Sequence, residues 1–164
     1  MSNSSEAALP AALLDAHPAQ WRLVGKGLFT WSVFRLYHAY LYAPAASAST
    51  PFNLDGDFAL MLRYLRNIPG EQIVTTSTQE IARLTDTSTA SLAEWTESMT
   101  RIFPDVASGD RLTGLFLRGQ GVGFYSGDTL AGEIDSPAFA RAFAAIWLDP
   151  RTRSPALRAG LLGL

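Results

Sequence analysis

One aromatic and β-branched stretch, residues 31–43, constrains the fold more than any other part of the chain. Its sequence is WSVFRLYHAYLYA, and this composition is typical of a β-strand rather than of a surface helix. Strict alternation would place on one face Trp31, Val33, Arg35, Tyr37, Ala39 and Leu41. Because both faces are mostly apolar, we predict a long central strand covered on each side. Such a strand, carrying a few polar groups, would also suit the wall of a ligand pocket.

The overall composition is that of a single globular domain. The chain has 164 residues, of which 48% are hydrophobic and 17% are charged. Its net charge is −2 and no run of Lys or Arg is present, which argues against nucleic acid as a partner. The absence of cysteine excludes disulfides and thiol catalysis. No stretch reaches about 18 consecutive apolar residues, so we expect a soluble protein without a transmembrane segment.

The N-terminal segment differs in composition from the rest of the chain. Residues 1–20 are small and polar and include Pro10 and Pro18, so we predict a flexible arm before a domain that spans residues 21–164. The segment has no basic region followed by an apolar run and is not a signal peptide as it stands. We therefore expect a cytoplasmic protein, or a periplasmic one if a signal peptide has been removed.

The order of the predicted elements indicates the fold class. Strands are predicted over residues 21–28, with Gly25 and Gly27 at a bend or bulge, and over residues 58–65. Further elements follow in this order: a helix over 71–85, a helix with a capping box at Ser91 and Glu94, a three-stranded meander over 110–135, and helices opened by Pro137 and Pro155. This order predicts an α+β domain with an antiparallel sheet and helices on one side.

Several common kinds of functional site are not supported by the sequence. The two histidines, His17 and His38, have no acidic partner at ligand spacing, so we predict no metal and assign His38 to the core. The glycines from Gly119 to Gly123 precede a strand and a turn rather than a helix, which favours a hairpin over a nucleotide-binding loop. The G-x-S-x-G motif of hydrolases is absent. We predict no cofactor.

The polar side chains of the apolar strand region suggest three candidate site residues, namely Lys26, Arg35 and Tyr37. They lie in or beside an apolar strand, where charge is costly unless it is paired. A carboxylate or enolate ligand would suit these donors. An Asp or Glu from a neighbouring strand would satisfy them equally well, and the sequence leaves both interpretations open.

The chain resembles the chalcone isomerase-like superfamily, in particular its bacterial branch. The residues that carry the resemblance span most of the chain and are Gly25-Lys26-Gly27-Leu28, Val33-Phe34-Arg35-Leu36-Tyr37, Leu41-Tyr42-Ala43, Leu62-Arg63-Tyr64, Ile68-Pro69, Phe103-Pro104-Asp105-Val106, Gly109-Asp110-Arg111-Leu112 and Ala145-Ile146-Trp147-Leu148. The resemblance implies an open-faced β-sandwich, with a long antiparallel sheet and a layer of helices over one face. It also implies a cleft between the sheet and the helices.

The resemblance also implies a function and a set of site residues. Some members of the superfamily cyclise chalcones, and some non-enzymatic members bind fatty acids through a basic residue and a tyrosine. With one gap, those two positions fall on Lys26 and Tyr37. The enzymes carry a tyrosine and an asparagine where this chain has Ile73 and Glu80, so we do not expect chalcone isomerase activity. Arg35 is the alternative cation.

The resulting hypothesis is non-catalytic binding of a small lipophilic carboxylate, such as a fatty acid. Lys26 would supply the charge, Tyr37 a hydrogen bond and Ile73 part of the apolar wall, and the substitution Lys26→Ala would weaken binding. Two alternatives remain. One is an isomerase or lyase that acts on a small phenolic or enone substrate with Tyr37 as the acid. The other is a protein-interaction module without a small ligand.

Overall fold

Among the residues that the structure describes, six strands form a single antiparallel sheet in which each strand pairs with the next one along the chain. The computed structural model describes residues 8–47 and 52–164, so the start of the predicted arm lies outside the described residues. The strands are β1 (Trp21–Trp31), β2 (Phe34–Pro44), β3 (Phe58–Tyr64), β4 (Arg111–Phe116), β5 (Val122–Ser126) and β6 (Thr129–Ile134).

Of the five α-helices in the described residues, four cover one face of this sheet. The helices are α1 (Ala11–Ala16), α2 (Gly70–Leu84), α3 (Thr89–Ile102), α4 (Pro137–Leu148) and α5 (Pro155–Leu162). The α2 and α3 helices connect β3 to β4, and α4 and α5 follow β6. The predicted α+β fold, an antiparallel sheet with a helical layer, is confirmed. Within the described ranges, the helices are too short or too polar to cross a membrane.

The main core lies between the sheet and the helical layer. Phe139 and Phe143 of α4 pack against Phe124 of β5, with ring centroids 6.2 and 5.3 Å from it. The α4 helix begins as predicted, because Ser136 accepts a hydrogen bond from the backbone N–H of Phe139 and Pro137 occupies the first turn. Burial of these rings supplies much of the apolar free energy that holds the helices on the sheet.

The opposite face of the sheet carries a second, smaller core. Leu9 and Leu13 cover Tyr40, Tyr42 and Met61, and Leu13 is fully buried. Asp128 holds the α1 helix in place by accepting two backbone N–H bonds at its start. The described part of the predicted arm, residues 8–20, is therefore packed on the sheet. The domain boundary at residue 21 stays a prediction.

The prediction of one continuous strand over residues 31–43 is wrong at its start. The chain turns back at Ser32 and Val33, between β1 and β2, and Ser32 has a φ of 57°. A two-residue hairpin requires this left-handed conformation, for which glycine and asparagine are the usual residues. Because Ser-Val lacks that signature, the turn is not visible in the sequence.

Two register shifts separate the observed faces from strict alternation. On β1 the extra residue is Val24, beside Gly25 where a bend or bulge is predicted. On β2 the extra residue is Leu36, since Phe29 pairs with Tyr37 while Thr30 pairs with Arg35. The second shift directs both Leu36 and Tyr37 toward the helical layer and leaves Arg35 on the opposite face. The predicted grouping of Arg35 with Tyr37 on one face is therefore wrong.

The α3 helix begins earlier than the predicted capping box. Its N-cap is Ser88, whose Oγ accepts a hydrogen bond of 3.1 Å from the backbone N–H of Ser91. Ser91 is therefore a donor in the first turn rather than the cap, and Glu94 lies beyond the cap. Only Ser91 has a Glu three residues later, but Ser88 is the serine that precedes the helix and can therefore act as the cap.

Candidate functional site

A cavity of about 420 Å³ lies between the inner face of the sheet and the helices α2, α4 and α5. This volume falls within the range of small-molecule sites. Its walls are mostly apolar and include Phe29, Leu60, Leu62, Ile73, Phe116, Ile146 and Leu157. The interior is therefore suited to a hydrocarbon group rather than to a charged one.

Two tyrosines and a tryptophan supply phenol and indole groups to the inner wall. The indole Nε1–H of Trp147 donates a 2.9 Å hydrogen bond to the hydroxyl oxygen of Tyr37. The ring of Tyr64 meets that of Tyr37 edge-on, with centroids 5.4 Å apart. Burial raises the pKa of both phenols. Both therefore stay neutral at physiological pH, and the hydroxyl hydrogen of Tyr37 can be donated to a ligand.

The cavity opens between three segments of the chain. The lining residues with exposed side chains mark the rim and are Trp31, Gln72, Thr76, Gln79 and Arg153. They belong to the end of β1, to the outer side of α2 and to the loop before α5. A ligand would therefore enter between the β1–β2 hairpin and the surface of α2.

An ion-pair cluster closes one side of this rim. The carboxylate of Glu80, only 5% exposed, accepts hydrogen bonds of 2.7 Å from Arg153 Nε and 2.9 Å from Arg83 Nη2. Burial by itself favours the neutral acid, but the two guanidinium groups outweigh it and lower the pKa of Glu80. The cluster ties α2 to the loop between α4 and α5, where Arg153 lines the cavity.

Glu80→Gln should lower the free energy of unfolding by about 1 kcal/mol at pH 7, because the amide loses the charge that both arginines contact. A depressed carboxyl pKa contributes stability above the unfolded-state pKa, and this contribution is lost as the pH falls. The difference between wild type and variant should therefore shrink between about pH 5 and pH 3, as measured by urea denaturation. Glu97→Gln is the control, since the Glu97–Arg101 pair is exposed. A difference that does not change with pH would contradict this account.

The structure brings together only two of the four predicted site residues. Tyr37 and Ile73 line the cavity, whereas Lys26 and Arg35 do not. Lys26 pairs across the strands with Tyr40, which belongs to the second core. Directly paired residues share a face of the sheet, so Lys26 lies on the face opposite the cavity.

The expectation that Lys26 and Tyr37 contact the same ligand is wrong, because the two side chains lie on opposite faces of the sheet. The position on β1 that faces Tyr37 is Phe29, whose ring stacks on the phenol with centroids 5.0 Å apart. The turn at Ser32 and Val33 fixes this register, and a bend between Gly27 and Trp31 would have been needed to bring the ammonium group to the phenol.

Sequence reasoning missed Tyr64, Trp147 and Arg153 as site residues. Tyr64 pairs directly with Tyr37 across β2 and β3, a relation that follows from the strand register but from no local pattern. Trp147 belongs to one of the segments that carry the family resemblance, but that resemblance gives it no role in a site. Arg153 lies in a loop, where no periodicity indicates the direction of a side chain.

Comparisons with known proteins agree with this architecture. A family model described as chalcone isomerase-like matches residues 5–163. A solved structure of a fatty-acid binding protein of Arabidopsis thaliana is similar, with a TM-score of 0.71 and 14% sequence identity. The similarity covers 94% of this chain and 90% of that one. A search of curated proteins finds no match.

Proposed function

Because this chain belongs to the chalcone isomerase-like family, we propose that its cavity binds a lipophilic carboxylate of the fatty-acid type and catalyses no reaction. The observation that carries the proposal is the apolar cavity of about 420 Å³ between sheet and helices. An acyl chain placed there gains about 0.8 kcal/mol for each buried CH₂ group. The hydrocarbon would thus provide most of the affinity.

The similar Arabidopsis protein supports this class of ligand. It is a fatty-acid binding protein, and the two chains share the fold that forms the cavity. At 14% identity the likeness concerns the fold, so the choice of ligand for this chain depends on the side chains that line its own cavity.

The head group of the ligand requires donors, and Arg153 and Tyr37 are two of the donors that line the cavity. Arg153 lies at the rim, and among the described residues only its Nε is engaged, with Glu80. Its remaining N–H groups can bind a carboxylate. Tyr37 can donate its hydroxyl hydrogen, because it accepts from Trp147, and Ile73 supplies apolar wall. We therefore assign the charge of the site to Arg153 instead of Lys26.

The same side chains argue against acid–base catalysis. A general acid or base works best when its pKa lies near the operating pH, and burial raises the pKa of Tyr37 well above its ordinary value. Glu80 is bound to two arginines, and Ile73 has no group that could transfer a proton. This supports a binding role over cyclisation of a chalcone or isomerisation of an enone.

Arg153→Gln and Tyr37→Phe should each weaken binding of a fluorescent fatty acid about tenfold or more, measured by titration in solution. A hydrogen bond to a charged group contributes about 1.5–3 kcal/mol, and 1.4 kcal/mol corresponds to a factor of ten in Kd. Arg83→Gln is the matched control, because it removes the other partner of Glu80 but does not line the cavity.

Three further variants test where the ligand and its carboxylate bind. Lys26→Ala and Arg35→Ala should bind the fatty acid as wild type does. A loss of binding in either variant would mean that the carboxylate contacts a cation on the outer face of the sheet. Ile73→Trp should abolish binding by filling the cavity. If Ile73→Trp binds normally, the ligand lies elsewhere and the proposal is wrong.

A further inference from the structure

The tip of the β1–β2 hairpin, residues 31–34, exposes three large apolar side chains in one place. Trp31 is 67% exposed, Val33 is 86% exposed and Phe34 is 44% exposed. Val33 is part of the two-residue turn, and Trp31 and Phe34 are the paired residues on either side of it. Single exposed apolar residues are common on proteins, but a cluster of this kind marks a surface that contacts something other than water.

The charges beside the hairpin tip are positive. Residues 16–54 and 58–70 contain no Asp or Glu. The guanidinium carbon of Arg66 lies 4.3 Å from the centroid of the Phe34 ring, and Arg35 follows Phe34 directly. Lys26 adds a further cation on the outer face of β1, across from Tyr40.

The acids of the adjoining loop are engaged in backbone hydrogen bonds. Asp105 accepts a bond from the N–H of Gly70, and Asp110 accepts one from the N–H of Ala107. They hold the loop in shape beside the end of β3, and the ion pairs within the described residues include none between these acids and Arg35 or Arg66. The hairpin tip therefore combines apolar side chains with a basic border.

We propose that the hairpin tip inserts into the surface of an anionic lipid bilayer. Tryptophan is favoured at the boundary between headgroups and acyl chains, and basic residues near an anionic surface strengthen binding to it. Three apolar side chains are too few for the core of a stable protein–protein interface, which buries about 1,200–2,000 Å² in total. The same three side chains suffice for reversible insertion into a bilayer.

The position of Trp31 connects this surface to the cavity. Trp31 lines the cavity and is exposed at its rim, so insertion of the tip places the mouth of the cavity at the bilayer. A lipophilic ligand then passes between membrane and cavity with little exposure to water. Docking of the tip does not depend on the proposed function, whereas this route for the ligand rests on it.

Sedimentation with sucrose-loaded vesicles tests the docking without added ligand. The protein should sediment with vesicles of phosphatidylglycerol and phosphatidylcholine, and much less with pure phosphatidylcholine or in 0.5 M salt. The double variant Val33→Ser, Phe34→Ser should lower the partition coefficient at least tenfold, and so should Arg35→Gln combined with Arg66→Gln. Leu130→Ser is the control, since Leu130 is an exposed apolar residue on β6, at the other edge of the sheet.

The outcomes separate docking from ligand binding. Titration of a fluorescent fatty acid in vesicle-free solution tests the cavity, and the Val33→Ser, Phe34→Ser variant should bind as wild type does. If wild type fails to sediment with anionic vesicles, or if this variant sediments equally well, the docking proposal is wrong. A wild-type dimer that the variant converts to a monomer, with no sedimentation of either, would assign the tip to a second copy of the chain and overturn the proposal.

Discussion

Replacing Trp147 with alanine should lower the free energy of unfolding by about 3–5 kcal/mol, as for other large aromatic residues in a core. Trp147 is 7% exposed, and its ring meets that of Phe143 edge-on with centroids 5.1 Å apart. The alanine variant loses this packing and also removes the donor that Tyr37 accepts from. Urea denaturation measures the change, and a loss below about 1 kcal/mol would show that the indole does not support the core.

Trp147→Phe separates packing from hydrogen bonding at the same position. The phenyl ring keeps the contact with Phe143 but has no N–H for the Tyr37 hydroxyl. The expected loss is therefore about 1 kcal/mol, the net contribution of one hydrogen bond. If the phenylalanine variant were as unstable as the alanine variant, the hydrogen bond rather than the packing would account for the effect.

Gly25→Ala should destabilise the protein by about 3 kcal/mol, although alanine restricts the unfolded chain more than glycine does. A Cβ atom at this position would overlap the carbonyl oxygens of Gly160 and Leu161 in α5 and lie 2.7 Å from the carbonyl carbon of Leu161. These are backbone atoms, so no side chain can rotate to make room. The substitution therefore forces α5 away from β1, and thermal unfolding would record the loss.

Gly56→Ala is the matched control for this close approach. The Cβ atom added at Gly56 would lie 3.5 Å from the nearest atoms of Asn53, an ordinary contact. Its stability should change by less than about 0.5 kcal/mol. A similar loss at both glycines would mean that backbone freedom, and not the contact with α5, explains the effect at Gly25.

The elements that the sequence predicts best are those set by local chemistry. The start of α4 follows from Ser136 and Pro137, and the meander from the turns at Gly119 to Gly121 and around Gly127. Each of these signals acts over a few residues, because capping and left-handed turns depend on the backbone of the residue itself. The fold class follows from their order along the chain.

The site was predicted less well because it depends on strand register. A shift of one residue moves a side chain to the other face of the sheet, and β2 contains such a shift at Leu36. Tyr37 was identified and does line the cavity, whereas Arg35, two residues earlier, faces away. The prediction that Lys26 and Tyr37 bind the same ligand is wrong for the same reason. The position of the turn at Ser32 and Val33 determines that Phe29, and not Lys26, lies opposite the phenol.

The contact between α5 and β1 has a consequence for how the chain acquires its shape during synthesis. These elements are well over a hundred residues apart in the sequence, yet Leu157 of α5 forms part of the cavity wall. While the nascent chain is still on the ribosome, β1 emerges long before its covering helix, and the apolar lining stays open to water. Such exposed surface promotes aggregation. The interval before α5 emerges is therefore when this chain is most exposed to aggregation.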